Sequence, residues 1–201
     1  VMDDNNYDRH FRLLICGGKG TGKSTLLSCF SFESDRSEGT TMLRLDDLNI
    51  RIDVRKRDKW QREYVSEFDA VVIIFAADDF KSFDYALEVL RSVQNCDFLP
   101  VVVIENKIDL IDEYNFLNKD VIENSIRQAR TRLYRVSAKQ DFNVMHPFAY
   151  VLEKLLRYSD ENANVKEKDS LQNGRLSCRQ GWIERSTSTS SRKRNANCSI
   201  M

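Results

Sequence analysis

Strand-like and helix-like segments alternate along this chain, which predicts an α/β fold with a mostly parallel sheet covered by helices on both faces. Three observations carry the expectation. An apolar run from Phe11 to Cys16 feeds directly into Gly17-Gly18-Lys19-Gly20-Thr21-Gly22-Lys23-Ser24, and a helical pattern, Thr25 to Phe30, follows. Val101-Val102-Val103-Ile104 is a β-branched run with the character of a strand buried on both faces. Phe148, Val151, Leu152, Leu155 and Leu156 recur on one helical face, a stripe that reads as core.

The glycine-rich segment has the spacing G-x-x-x-x-G-K-S between a strand and a helix. Glycines there let successive backbone N–H groups converge on phosphate oxygens, and the start of the helix adds its dipole. The candidate nucleotide-binding residues are Gly17, Lys19, Gly20, Thr21, Gly22, Lys23, Ser24 and Thr25. Lys23 would reach the outer phosphates, and the Ser24 hydroxyl would ligate Mg²⁺. A glycine-rich turn that meets the pattern by chance is the bland alternative, and the flanking strand and helix argue against it.

Two later segments select the base. The strand at 101–104 ends in Glu105-Asn106-Lys107-Ile108-Asp109. The Asp109 carboxylate can accept from both the ring N–H and the exocyclic amine of guanine, a donor pair that adenine lacks. The Lys107 stem can cover the base, and Asn106 can tie this segment to the phosphate loop. Tyr134-Arg135-Val136 then leads into Ser137-Ala138-Lys139, where a backbone N–H can meet the guanine O6. N-K-x-D alone is a common solvated turn. Placed after a strand, between a phosphate loop and S-A-K, it is specific.

Over residues 11–158 these motifs resemble the Ras superfamily of small GTPases. The resemblance implies a phosphate-loop NTPase of the small G-domain type, with a six-stranded, mostly parallel sheet. It implies GTP or GDP and Mg²⁺ as ligands, and effector and regulatory proteins as partners. Phe75 to Phe83 looks like the stretch after the family's fourth strand, helical spacing follows from Tyr85 to Leu90, and Phe148 to Tyr158 looks like its closing helix.

Where catalytic parts belong, the chain departs from the family. Leu48 to Ile52 reads as a strand delivering Asp53, which can hold Mg²⁺ through water, followed by Val54-Arg55-Lys56-Arg57-Asp58-Lys59. In a D-x-x-G alignment Lys56 replaces the glycine and Arg57 the glutamine that orients the attacking water. The Asp-Val start and Asp58-Lys59 resemble the Arf branch. Lys19 stands where Ras-type loops carry a small glycine. Hydrolysis is therefore expected to be weak or lost. The alternatives are a cis-acting basic group at Lys19, Lys56 and Arg57, and a solvated loop without consequence. The segment from Ser24 to Asp53 is shorter than in Ras or Rab proteins. Thr40 is the favoured source of a second Mg²⁺ hydroxyl, beside Ser24 and Asp53, although Thr41 can equally begin a strand. Asp46-Asp47 fits a tight turn.

The chain has 201 residues and 41% apolar content, enough for one core and a tail. Formal net charge is zero, which speaks against bulk nucleic-acid binding. Five cysteines without metal-ligand spacing read as reduced cytosolic thiols. No apolar run reaches the roughly 18 residues that span a bilayer. Val1 ahead of Met2 points to a fragment or an alternative start.

The expected organisation is an N-terminal extension over 1–10, a G domain over 11–158 and a disordered tail over 159–201, where Ser, Asn, Lys and Glu take over. The tail holds a Ser/Thr run from Ser186 to Ser191, the basic triplet Arg192-Lys193-Arg194, and a terminal Cys198-Ser199-Ile200-Met201. That terminus is a C-a-a-X pattern favouring farnesylation of Cys198, with the triplet adding attraction to an anionic membrane surface. Cys178 is a further acylation candidate or simply a tail thiol. The expected protein is a guanine-nucleotide-binding, prenylated signalling or trafficking protein on the cytoplasmic face of a membrane. Its alternatives are a pseudo-GTPase scaffold and an active GTPase using the basic loop in cis.

Overall fold

A computed structural model describes residues 7–29, 38–45, 47–93, 99–111 and 118–160. The chain divides into two units, Val1–Leu156 and Arg157–Met201. In the second, the described residues 157–160 are helical.

Six strands form one sheet in the order β2-β3-β1-β4-β5-β6. They are β1 (Arg9–Cys16), β2 (Glu38–Leu45), β3 (Leu48–Arg57), β4 (Ala70–Ala76), β5 (Val101–Asn106) and β6 (Arg132–Arg135). Only the β2–β3 pair is antiparallel; β3, β1, β4, β5 and β6 run parallel. The helices are α1 (Lys23–Ser28), α2 (Tyr64–Glu67), α3 (Phe80–Val93) and α4 (Lys119–Gln128), and α5 over residues 145–160. Chain order reverses about β1, and ligands in such sheets bind outside the carboxyl ends of the strands at that point.

Two apolar layers hold the helices, one on each face. Phe11, Leu13, Ile15, Ile50, Ile52 and Val54 pack with Leu26 and Leu27 of α1 and with Phe148, Val151, Leu152 and Leu155 of α5. Leu14, Cys16, Val71, Ile73 and Phe75 pack with Phe83, Ala86, Leu90 and Val93 of α3 and with Ile122 and Ile126 of α4. The Phe148-to-Leu155 stripe is core, as its spacing predicts.

Two boundaries differ from expectation. β1 begins at Arg9, and Asp8 N–H donates to Asn49 C=O at 2.8 Å, so the sheet absorbs residues assigned to the N-terminal extension. β3 does not stop at Ile52 but continues to Arg57, pairing Lys56 with Ile15 and Arg57 with Cys16. The alternation Ile50, Ile52, Val54 supplies one buried face. On the other side of the strand, Arg55 pairs with Glu38 across the β2 ladder, with an ion pair of 3.1 Å. Phe30 and Asp46 lie outside the described residues; Asp47 sits in a turn.

Candidate functional site

The phosphate loop leaves β1 at Gly17 and enters α1 at Lys23. Gly17 passes so close to β4 that a Cβ there would collide with the Ile74 carbonyl. Gly22 has φ +93°, and a Cβ on it would strike the Asn106 amide, so conformation and space both demand glycine. Thr21 is buried, and its hydroxyl donates back to Gly18 C=O at 2.9 Å.

Asn106 joins three parts of the site. It is 2% exposed, its Nδ2 donates to Thr21 C=O at 2.9 Å, and its Oδ1 accepts from Ala138 N–H at 3.0 Å. The N-K-x-D segment, the phosphate loop and the S-A-K turn are thereby locked together. Lys107 holds a left-handed conformation, φ 64°, and its Nζ pairs with both Asp78 oxygens at 3.1 Å. Ser137 Oγ donates to Asp109 Oδ1 at 2.6 Å, which fixes the carboxylate. A pocket of about 250 Å³ opens among Gly22, Thr25, Asn106, Asp109, Ala138 and Lys139. It sits between the loop and the carboxylate, where a base attached to bound phosphates would lie.

The cationic half is arranged otherwise than the D-x-x-G alignment implies. Lys23 is buried, and its Nζ donates to Gly17 C=O at 2.8 Å and Gly18 C=O at 2.6 Å. Asp58 Oδ1 lies 2.8 Å from the same nitrogen, although the Asp58 side chain is 60% exposed. The hydrogen bond from Lys23 lowers the Asp58 pKa despite some burial, helped by the charges of Lys23, Lys19 and Lys56. Lys56 Nζ donates to Ser24 Oγ at 2.5 Å. Both residues the loop would turn toward phosphate and metal are thus engaged by side chains from the end of β3 and just beyond it.

The expected metal set of Ser24, Thr40 and Asp53 is not assembled. Asp53 is out of phase with Ile52 and Val54, which pack with α1, so its side chain leaves the opposite face of β3. There it accepts from Thr40 Oγ1 at 2.9 Å, Arg51 Nε at 3.1 Å and His10 Nε2 at 2.7 Å. Burial pushes the Asp53 pKa up, but hydrogen bonds from His10, Thr40 and Arg51 prevail and hold it below the ordinary value. Thr40 pairs in register with Asp53, whereas Thr41 pairs with Ile52. The threonine favoured from the sequence accordingly shares Asp53's face and not Ser24's. With Lys56 on the Ser24 hydroxyl, and Thr40 and Asp53 on the other face of the sheet, these residues as arranged do not fit the family's Mg²⁺.

Arg57 Nη1 donates to Lys56 C=O at 2.9 Å, so the guanidinium is bound to its own strand. Trp60 N–H donates to Tyr85 Oη at 2.8 Å, and Trp60, Tyr64 and Phe68 form successive edge-on ring contacts. Those aromatics tie the segment after β3 to the layer under α3. Burial pushes the Cys16 thiol up to about 11, against a hydrogen bond to Tyr85, so this cysteine at the mouth of the loop stays protonated and unreactive. The sequence reading missed Asp58 and Lys56 as partners of Lys23 and Ser24. The signal for Lys56 was its place in the Ile50-Ile52-Val54 alternation.

A strand–loop–helix phosphate cradle, pinned by one asparagine to a pocket bearing a carboxylate, defines a nucleotide-binding domain of the phosphate-loop class. The chain belongs to the Ras family, whose model matches residues 12–157. It is 26% identical over 174 residues to a Ras-like protein of Laccaria bicolor, covering 78% of this chain and 82% of that one. It is 25% identical over 190 residues to Ras-like protein 1 of Saccharomyces cerevisiae, covering 84% of this chain and 61% of the yeast protein's length. Against Ras-related protein Rab-7b of Mus musculus it is 29% identical over 175 residues, 76% of this chain and 86% of the mouse protein. This is a divergent small GTPase-like protein of the signalling or trafficking kind, and family membership implies a guanine nucleotide at the site.

Proposed function

We propose that the chain binds GTP or GDP through Gly17, Lys19–Thr25, Asn106, Lys107, Asp109 and Ser137–Lys139, hydrolyses GTP weakly or not at all, and recruits partner proteins at a membrane to which Cys198 anchors it. The observation that carries nucleotide binding is Asn106, which sets the phosphate loop and the Asp109 pocket in one rigid frame. Asp109, aligned by Ser137, supplies the guanine-selective acceptor. Ala138 N–H donates to Asn106, and a backbone N–H of the Ser137–Lys139 turn is the proposed donor for O6. Weak hydrolysis is supported by Lys56 and Asp58, which engage Ser24 and Lys23, and by Arg57, whose guanidinium is held by a backbone carbonyl. The same hydrogen bond speaks against the cis-acting arginine.

The anchoring part of the proposal rests on the tail's composition, and Cys178, Ser186 to Ser191, Arg192 to Arg194 and Cys198 all lie outside the described residues. With a prenyl group on Cys198 and the basic triplet against anionic lipid, the protein would work on the cytoplasmic face of a membrane.

A second reading, a scaffold that holds no nucleotide, draws support from Asp58 on Lys23 and Lys56 on Ser24. Denaturing the purified protein and separating released nucleotides by chromatography decides between them. Stoichiometric GDP or GTP supports the first reading, and an empty protein that also fails to take up added guanine nucleotide overturns it. Asp109→Asn then tests the base. GTP binding should weaken at least tenfold, by about 1.5–3 kcal/mol, with relative gain for xanthosine nucleotides.

A further inference from the structure

In a phosphate loop of this spacing the serine after the lysine normally ligates a divalent cation. Here that hydroxyl accepts a 2.5 Å hydrogen bond from an ammonium, Lys56 Nζ. Lys56 is placed there by β3, which carries regular parallel pairing as far as Lys56↔Ile15 and Arg57↔Cys16. The alternation of the strand directs Lys56 to the face of Ile52 and Val54, the face on which α1 packs. Asp53, the one carboxylate assigned to a metal, leaves the other face and is satisfied by His10, Thr40 and Arg51. A divalent ion at Ser24 would face the Lys56 ammonium, and the carboxylate at the loop, Asp58, is already paired with Lys23. Like charge disfavours it there.

We propose that Lys56 is the site's resident cation: its ammonium takes the metal's place at Ser24 Oγ, and the chain binds guanine nucleotide without Mg²⁺. An ammonium has three N–H donors. One is spent on Ser24, and two remain for oxygens of the outer phosphates, beside the buried Lys23 and the exposed Lys19. Asp58 already senses Lys23, Lys19 and Lys56 as one basic group, which is the field a bound polyphosphate would meet. A primary ammonium is a compact point charge able to replace a metal electrostatically, though not to organise six oxygens as Mg²⁺ does.

The inference rests on the guanine-nucleotide reading above, and its test separates the two. The full chain, stripped of nucleotide, is titrated with fluorescently labelled GDP in excess Mg²⁺ and in excess EDTA, as wild type, Lys56→Met and Lys56→Arg. Melting by circular dichroism checks that each variant folds. The wild-type Kd should agree within about threefold between the two conditions. Lys56→Met, which keeps the stem and loses the charge, should bind at least about tenfold more weakly in EDTA, and Lys56→Arg should remain near wild type. A wild-type affinity that falls tenfold or more in EDTA overturns the proposal while leaving the nucleotide reading intact. Equal binding by wild type and Lys56→Met in EDTA overturns it too, since the cation is then something else. Absence of binding under both conditions defeats the nucleotide reading and this one with it. Should Lys56→Met fail to fold, the wild-type comparison still decides.

Discussion

Asp58 Oδ1 stands 2.8 Å from Lys23 Nζ, so a carboxylate occupies the one direction in which the phosphate-loop lysine is not already bonded to Gly17 and Gly18 carbonyls. The carboxylate imitates a phosphate oxygen in charge and in acceptor geometry. Any nucleotide must displace it, and the exposed position of Asp58 makes that displacement mild in cost.

Asp58→Asn is therefore expected to tighten nucleotide binding. With its carboxylate in solvent the pair is worth about 0.5–1 kcal/mol, so the gain should be roughly two- to fivefold. Calorimetric titration of GDP into the two proteins measures it. Weaker binding by the variant would show that Asp58 assists the nucleotide instead of competing with it.

Asn106→Ala should cost both stability and binding. It removes the bonds to Thr21 C=O and Ala138 N–H from a residue that is 2% exposed. Stranding buried groups costs about 1–3 kcal/mol each. With partial relaxation a total of about 2–3 kcal/mol is expected, a loss of roughly 5–10 °C in Tm for a domain of this size. A variant that melts like wild type would mean that the loop, the N-K-x-D segment and the S-A-K turn hold their places without this link.

The parts of this site that the sequence discloses are those fixed by short covalent spacing. Gly17 to Ser24 and Asn106 to Asp109 are contiguous motifs, and their mutual placement follows once each is set at the end of a strand. Lys56 on Ser24 and Asp58 on Lys23 depend instead on where β3 stops and how it registers with β1. Fitting Asp53 to the family's D-x-x-G pattern gave it a water-mediated metal contact, whereas strand parity puts it on the face away from α1. The residues themselves hold the correction, because Ile50, Ile52, Val54 and Lys56 share one phase and Asp53 the other. What they do not hold is the ladder that continues β3 to Arg57 when a loop was expected, since this requires Cys16 and Glu38 as long-range partners.

Asp53 ties β1, β2 and β3 together on the face away from α1, which gives a pH dependence. Its folded pKa is lowered, so the unfolded chain takes up the proton first as pH falls. The stabilisation is complete above the ordinary carboxylate value, ~4, and is lost between that value and the lower folded one. Asp53→Asn should reduce stability by about 1 kcal/mol near neutral pH, roughly 2–4 °C in Tm. The difference from wild type should shrink in acid across that window. A gap that widens in acid would contradict the assignment.

Arg57 is bound to the Lys56 carbonyl, and its removal should leave the chemistry of GTP untouched. Single-turnover hydrolysis by wild type is expected at or below roughly 10⁻⁴ s⁻¹, the slow intrinsic scale of unaided Ras-type sites. Arg57→Ala should match it within experimental scatter. Wild-type turnover many times faster, abolished by Arg57→Ala, would establish the cis-acting arginine.

Attachment to membranes should need two inputs from the tail. On the proposed anchoring, a farnesyl chain on Cys198 would insert reversibly, and Arg192, Lys193 and Arg194 would add about 1 kcal/mol each near an anionic surface. Cys198→Ser is expected to release the protein into the soluble fraction of expressing cells, with nucleotide affinity unchanged because the site lies within residues 17–139. Neutralising the triplet should release it only in part, and more so as salt rises, because the attraction decays within about 10 Å at 0.1 M ionic strength. Phosphate groups introduced among Ser186 to Ser191 should act like that neutralisation, placing negative charge beside the triplet. Cell fractionation of the two variants measures both effects. A Cys198→Ser protein still on membranes would mean that the terminal four residues are not the anchor, and the basic triplet alone could not supply one at physiological salt.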